Sequence, residues 1–103
     1  MYEDIVIVTR HLGTVEWLAR TGWRGKVVTK AKVSDVDGKI VIGNPPLHLA
    51  YKAKEVGIID IPDIPRRLRG TELSADELEL YNAKITWYTV TRHEEPGLRT
   101  IRS

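Results

Sequence analysis

The side chains best suited to chemistry in this chain follow two short apolar runs. They are Thr9, Arg10 and His11 after the first run, and Asn44 and His48 after the second. Arginine offers a fork of donors to a phosphate, threonine a hydroxyl and asparagine an amide, whereas histidine can act as a general acid or base. The convergence of these residue types predicts a phosphate-binding site.

Simpler interpretations remain open for the same residues. A histidine beside a strand end often serves only as a hydrogen-bonding partner, so His11 is either a catalyst or a structural residue. Arg10 could equally anchor a backbone carbonyl or a surface carboxylate. The tripeptide Thr91–His93 repeats Thr9–His11 after the last predicted strand. It is either a coincidence or, in a parallel sheet, a second group at the same edge.

The two apolar runs, Ile5–Val8 and Lys39–Gly43, predict strands buried on both faces, because β-branched residues continue without interruption between turn residues. In an open α/β sheet, ligands bind at the carboxyl ends of such strands, opposite the amino end of the next helix. If the two strands are neighbours, the turns that follow them line one crevice. We therefore expect the functional site at this edge of the sheet.

A helical pattern follows each of these strands. The segment Thr14–Arg20 has apolar residues at i, i+3 and i+4, and Thr14 can cap its first amides. After Asn44, two prolines introduce a second helix, which we expect to end at Gly57. Its expected buried stripe comprises Leu49, Ala50, Ala53 and Val56.

The first half of the chain contains one further predicted strand. Lys26–Val33 alternates between apolar and other residues, as expected of a half-exposed strand near a sheet edge. Its lysines either form a solvated face or bind phosphate. The segment Ser34–Gly38 reads as a loop.

The second half begins with the short apolar strand Ile58–Ile61 and the arginine-rich loop Pro62–Thr71, a kind of loop that is often functional or mobile. A capping box, with Ser74 at the cap and Glu three residues on, predicts a helix that runs to about Asn82. Lys84–Thr91 then alternates as a final strand.

The order β-α-β-β-α-β-α-β indicates a small Rossmann-like α/β domain with a mostly parallel sheet flanked by helices. A length of 103 residues allows a single domain over 1–103, with a core over about 4–92 and a polar tail over 93–103. Sheets with so few strands often bury an apolar face against a second copy, so we expect a homodimer.

Composition narrows the function classes. The net charge of +2 permits a phosphate-bearing partner but argues against a general coat for long nucleic acid. The chain has no cysteine and no apolar stretch of membrane-spanning length, and its acidic start is unlike a signal peptide, so we expect a cytoplasmic protein. No P-loop, dinucleotide fingerprint, acyl-transfer elbow or metal-ligand motif is present, so we expect neither a metal nor a cofactor.

Three blocks of the sequence resemble the small CRISPR-associated accessory family numbered sixteen in the Csx series, whose members are encoded beside type III CRISPR systems. The blocks are I-V-T-R-H-L-G-T-V-E-W-L at 7–18, V-I-G-N-P-P-L-H-L-A at 41–50 and R-G-T-E-L-S-A-D-E-L at 69–78. The resemblance implies a Rossmann-like dimer related to the CARF domains that sense cyclic oligoadenylate. It further implies a ring nuclease that degrades cyclic tetra-adenylate and so switches off the antiviral signal.

The implied reaction needs no metal, because the ribose 2′-hydroxyl attacks its own adjacent phosphate in line. In that reaction Arg10 would stabilise the phosphorane charge and His11 would act as the acid or base. The residues expected to bind the ligand are Thr9, Gly13, Gly43, Asn44, His48 and Arg69, the last from a loop that could close over it.

Other functions also fit the sequence. The same pocket would serve a sponge that sequesters cyclic oligoadenylate without cutting it. A docking or regulatory subunit would bind a CRISPR effector through Trp17, Trp23 and Trp87. For Trp17 and Trp23, packing in the core or at an interface is favoured over stacking on a base. A general RNA-binding module is disfavoured by the modest charge.

Overall fold

A five-stranded sheet with the order β2-β1-β3-β4-β5 organises the computed structural model, which describes residues 4–93. The strands are β1 (Ile5–Val8), β2 (Lys26–Val28), β3 (Ile40–Gly43), β4 (Glu55–Asp60) and β5 (Lys84–Tyr88). The first four strands are parallel, whereas β5 pairs with β4 in the antiparallel direction. The predicted α/β class and mostly parallel sheet are therefore confirmed.

Helices cover both faces of this sheet. They are α1 (Leu12–Arg20), α2 (Val33–Val36), α3 (Leu47–Ala50) and α4 (Ala75–Leu80), with a 3₁₀ turn at Arg66–Leu68. The capping box is confirmed, since the Ser74 hydroxyl accepts from the Glu77 N–H at 3.1 Å and the Glu77 carboxylate accepts from the Ser74 N–H at 2.9 Å. No helix between residues 4 and 93 is long and apolar enough to cross a bilayer.

The pleat of β1 divides the core into two layers. Val6 and Val8 pack with α2, α3 and Val56 on one face, whereas Ile5 and Ile7 pack with α1 and α4 on the other. All four residues of β1 are buried, as the uninterrupted β-branched run predicts. Full burial of each such side chain contributes roughly 1.5–3 kcal/mol, so this interior strand anchors the edge at which the site lies.

The predicted strand Lys26–Val33 is wrong beyond Val28, because a helical turn begins at Val33. The Lys32 N–H donates to the Asp35 carboxylate at 2.8 Å, which caps this turn. Val36 then enters the core and is fully buried. The predicted loop Ser34–Gly38 is thus partly the short helix α2.

The predicted helix after Asn44 is also too long. It ends at Ala50, and β4 begins at Glu55, so Val56 and Gly57 belong to a strand. A Cβ at Gly57 would lie 2.9 Å from the Trp87 ring, so the glycine makes room for an aromatic side chain of β5. That ring also contacts Trp23, with centroids 5.2 Å apart.

The last strand ends earlier than predicted, at Tyr88 rather than Thr91, and its direction is reversed. Thr91–His93 therefore does not follow a parallel strand, and Thr91 and Arg92 instead line a groove with Leu47 and His48 of α3. Of the tail predicted over 93–103, only His93 lies within the described residues. The single-domain assignment remains a prediction.

Candidate functional site

The carboxyl ends of β1 and β3 lie side by side, as the sequence predicts for a shared crevice. Val8 pairs with Gly43, and the Asn44 N–H donates to the Val8 carbonyl at 3.2 Å. On the other side of β1, the Thr9 N–H donates to the carbonyl of Val28 in β2 at 3.1 Å. These backbone bonds hold the starts of the two turns in fixed positions.

A cavity of about 400 Å³ opens at this edge. Its lining residues are Val8, Thr9, Arg10, His11, Thr14, Thr29, Gly43, Asn44, Ile59, Ile61 and Leu78. The cavity is thus formed by residues at the carboxyl ends of the four parallel strands, by the start of α1 and by one residue of α4. Among the described residues, this lining contains two basic side chains and no carboxylate, so the cavity is suited to an anion.

Gly43 is required where β3 leaves the sheet. Its φ of +128° lies in a region that residues with a Cβ rarely adopt, and an added Cβ would lie 2.0 Å from the Val8 carbonyl oxygen. The glycine therefore permits the close approach of the two strand ends. Without it, Asn44 could not begin its turn beside Thr9.

His11 is the N-cap residue of α1, and it is held at two points. Its N–H donates to the Thr9 hydroxyl at 3.1 Å, and its Nδ1 atom contacts Oε1 of Glu72. The side chains of His11 and Glu72 are 58% and 68% exposed, so the pair adds little to stability. The carboxylate orients the imidazole. Because it accepts from Nδ1–H, the unprotonated ring nitrogen is Nε2, which can therefore accept a proton.

Arg10 contrasts with the other arginine of this region, Arg20. Within residues 4–93, the side chain of Arg10 makes no ion pair or hydrogen bond. Arg20 contacts Glu16 at 2.8 Å, Asp76 at 2.8 Å and Glu79 at 3.2 Å, and its hydrogen bonds to Asp76 and Glu16 raise its pKa above the ordinary arginine value. Arg20 therefore ties α1 to α4, whereas no side chain between residues 4 and 93 engages the donors of Arg10.

Five of the predicted site residues meet in the cavity: Thr9, Arg10, His11, Gly43 and Asn44. Gly13 lies behind them in the first turn of α1, where an added Cβ would be 2.1 Å from the Leu73 carbonyl oxygen, so its evident role is close packing against the segment before α4. Arg69 does not line this cavity, although its neighbour Gly70 lines an adjoining one.

His48 lines a separate groove of about 420 Å³ with Leu47, Tyr51, Val90, Thr91 and Arg92. Arg92 donates to the Tyr51 hydroxyl at 3.2 Å across this groove. The structure therefore separates His48 from the other predicted site residues, and its role in ligand binding stays a prediction.

Sequence reasoning did not identify Glu72 or Thr14 as site residues. Glu72 lies 61 positions after His11 in the sequence, and no local motif indicates a contact over such a separation. The sequence predicts Thr14 only as a helix cap, but the cap is His11, and Thr14 lines the cavity. No group of three or more His, Cys, Asp or Glu residues that could hold a metal ion occurs within the part of the chain that is described.

The three tryptophans are arranged for packing. Trp17 is only 5% exposed and belongs to the core layer of α1 and α4. Trp23 and Trp87 are partly exposed but contact each other. A docking surface built on all three side chains is therefore not formed.

Comparison with known families gives a match over residues 6–91. It is to the family described as "Putative CRISPR-associated protein (Cas_VVA1548)". The chain belongs to this family. Because residues 6–91 include every strand of the sheet except the first residue of β1, membership in the Cas_VVA1548 family extends over both the fold and the cavity. No curated protein and no solved structure gave a significant match.

Proposed function

We propose that this CRISPR-associated protein is a ring nuclease, which binds cyclic tetra-adenylate, cleaves it and so switches off type III CRISPR signalling. The observation that carries the proposal is the cavity where Arg10, which has no ion-pair partner among residues 4–93, and His11, oriented by a carboxylate, lie together beside Asn44. Membership in a CRISPR-associated family supports the same biological setting. The sequence resemblance to the ring-nuclease family adds the ligand and the reaction.

The proposed reaction is an internal transesterification. The ribose 2′-oxygen attacks the adjacent phosphorus while the bond from phosphorus to the 5′-oxygen breaks. The 2′-hydroxyl loses its proton to a base, and the departing 5′-oxygen receives a proton. The products are a 2′,3′-cyclic phosphate end and a free 5′-hydroxyl end. The protein must hold the attacking and leaving oxygens in line, stabilise the phosphorane charge and move the proton.

The cavity residues have the chemistry for each of these tasks. The guanidinium of Arg10 can bind two phosphoryl oxygens at once. Nε2 of His11 can take or give a proton, because Nδ1 is engaged by Glu72. Thr9 and Asn44 can hold the adjacent phosphates, together with backbone amides that follow Gly43. Arg69 would approach from the loop above the neighbouring cavity.

A homodimer with the site near its two-fold axis is part of the proposal. Leu12 and Leu47 are 82% and 77% exposed, which makes them the most exposed large apolar side chains among the described residues. Leu12 follows His11 at the start of α1, and Leu47 begins α3 just after Asn44. Apolar side chains on both sides of the cavity suit burial against a second copy, and a two-fold dimer suits a cyclic ligand with four phosphates.

The decisive experiment incubates the purified protein with cyclic tetra-adenylate, in parallel reactions with EDTA and with Mg²⁺, and separates the products by chromatography. The proposal predicts linear products that carry a cyclic phosphate end. Retention of intact ligand on the protein would instead identify a sponge. Intact ligand that does not bind would overturn both functions.

A further inference from the structure

A second cavity, of about 250 Å³, adjoins the first. The two cavities share His11, Thr14, Ile61 and Leu78. The remaining lining residues of the second cavity are Ile64, Gly70, Thr71 and Leu73, from the loop that connects β4 to α4. A ligand that extends past His11 from the first cavity would therefore enter the second.

The two cavities differ in chemistry. The first is lined by the polar side chains of Arg10 and Asn44 and by the hydroxyls of Thr9 and Thr29, in addition to the shared Thr14. The second has mainly apolar walls, and His11 at the junction is the one ionisable residue among its described lining residues. The only ionisable partner that a described lining residue offers a charged group there is His11, which already contacts Glu72, whereas an uncharged planar group would bury apolar surface. The pair of cavities thus fits a ligand with an anionic part and an uncharged, largely apolar part.

We propose that the second cavity binds the nucleobase of the nucleotide whose phosphate lies in the first cavity. This inference rests on the proposed function, which supplies adenine as the base. Cavities that bind small molecules combine apolar walls with a few placed polar groups, and this cavity has that character.

The polar groups of the second cavity are positioned by the chain itself. The Thr71 hydroxyl donates to the Leu68 carbonyl at 2.6 Å, so its oxygen can accept a further bond, for example from an exocyclic amino group. Gly70 has a φ of +84°, and apart from its two chain neighbours no described residue has an atom within 4 Å of the position that a Cβ would take. This open space next to Thr71 leaves an entry for the base.

The test compares two ligands that share a phosphate and differ by the base, adenosine monophosphate and ribose 5-phosphate. We expect the wild type to bind the nucleotide about tenfold more tightly, which corresponds to about 1.4 kcal/mol. Ile64→Trp should fill the second cavity and remove this difference while the affinity for ribose 5-phosphate is unchanged. Leu80→Trp, which adds the same ring on an exposed position of α4 outside both cavities, should keep the difference.

Affinities are measured by NMR titration, and thermal unfolding checks that each variant is folded. If the wild type binds both ligands with equal affinity, or binds neither, the base site is overturned. This outcome is measured on the wild type alone, so it holds even if a variant does not fold. If the wild type cleaves cyclic tetra-adenylate and Ile64→Trp has an unchanged KM, the base site is wrong but the nuclease stands. If cleavage is absent and the preference for the nucleotide persists, the nuclease is wrong and the base site stands.

Discussion

The Nδ1 atom of His11 and the Oε1 atom of Glu72 meet across 61 positions of sequence, and they join the cap of α1 to the segment before α4. A carboxylate in this position accepts from Nδ1–H and so selects the imidazole tautomer with an unprotonated Nε2. The contact gives His11 a defined orientation at the cavity. It is the feature that distinguishes this histidine from a solvated surface residue.

Replacement of Glu72 tests that relationship. We expect Glu72→Gln to lower kcat for cyclic tetra-adenylate about tenfold, with little change in KM, because the side-chain amide no longer selects one tautomer and part of the acid–base contribution is lost. The ¹⁵N resonances of the His11 ring should shift toward a mixture of tautomers. Glu55→Gln, at an exposed position at the start of β4, is the matched control. Unchanged kcat together with unchanged ring resonances would rule out the orienting role.

Arg10 should be required for binding and for charge stabilisation. Arg10→Ala is expected to lower kcat/KM about 100-fold, since it removes a donor aimed at the developing charge. Arg10→Lys should recover only part of this loss, because an ammonium group retains the charge but not the fork of donors. Steady-state kinetics with Arg24→Ala, an exposed arginine just before β2, provide the control. Equal activities of the Arg10→Ala and Arg24→Ala variants would contradict the assignment.

The exposed leucines at the starts of α1 and α3 should govern assembly. The double variant Leu12→Glu/Leu47→Glu is expected to be monomeric by light scattering and to lose cleavage, because two carboxylates cannot be buried in a self-complementary interface. Leu80→Glu, which is also an exposed leucine at 67%, should leave the dimer intact. A wild-type protein that is monomeric at all concentrations would remove the dimer from the proposal.

Gly43 allows a stability prediction that is independent of function. Gly43→Ala should lower the free energy of unfolding by about 3 kcal/mol, through a positive φ and a collision with the Val8 carbonyl. Gly22→Ala should cost only about 1 kcal/mol, because Gly22 also has a positive φ, +99°, but no atom within 4 Å of the added Cβ. Urea denaturation measures both. Similar losses for the two variants would show that the collision is relieved by movement of β1.

Asp35 predicts a pH dependence of stability. The backbone hydrogen bond from Lys32 is the main cause that lowers the pKa of Asp35 below the ordinary value of 3.8, with Lys26 and Lys32 adding favourable charge. A carboxylate with a lowered folded-state pKa stabilises the fold above the ordinary value, and this contribution is lost as the pH falls through the folded-state pKa. We expect Asp35→Asn to be less stable than wild type at pH 6, with the difference disappearing at lower pH. Denaturation curves over this range check the convergence, with Asp37→Asn as the control.

Much of the fold was predictable because it is coded locally. Uninterrupted β-branched residues in Ile5–Val8 identify a strand buried on both faces, and the pair Ser74 and Glu77 satisfies the first amides of α4 without help from the rest of the chain. The site followed from these strands, since β1 and β3 proved to be neighbours. Three of its polar residues come directly after β1.

The predictions were wrong where the local structure depends on contacts with residues that are distant in the sequence. Val56 fits a helical stripe, but Gly57 beside it accommodates Trp87 from β5, and that contact belongs to a strand. Strand direction has no local signature, so the reversal of β5 could not be read from Lys84–Tyr88 alone. The contact between Glu72 and His11 was missed for the same reason, because the two residues meet only after α4 has packed on α1.

The Trp23–Trp87 pair, with its rings tilted by 49°, gives the protein an intrinsic spectroscopic probe of its own folding. Two indoles so close together couple their electronic transitions, and coupled transitions give a paired signal in circular dichroism. Trp87 lies opposite Gly57 and Trp23 precedes β2, so the pair sits toward the amino ends of the parallel strands, away from the cavity. The signal should therefore follow the docking of the antiparallel strand during refolding while remaining insensitive to occupancy at the other edge.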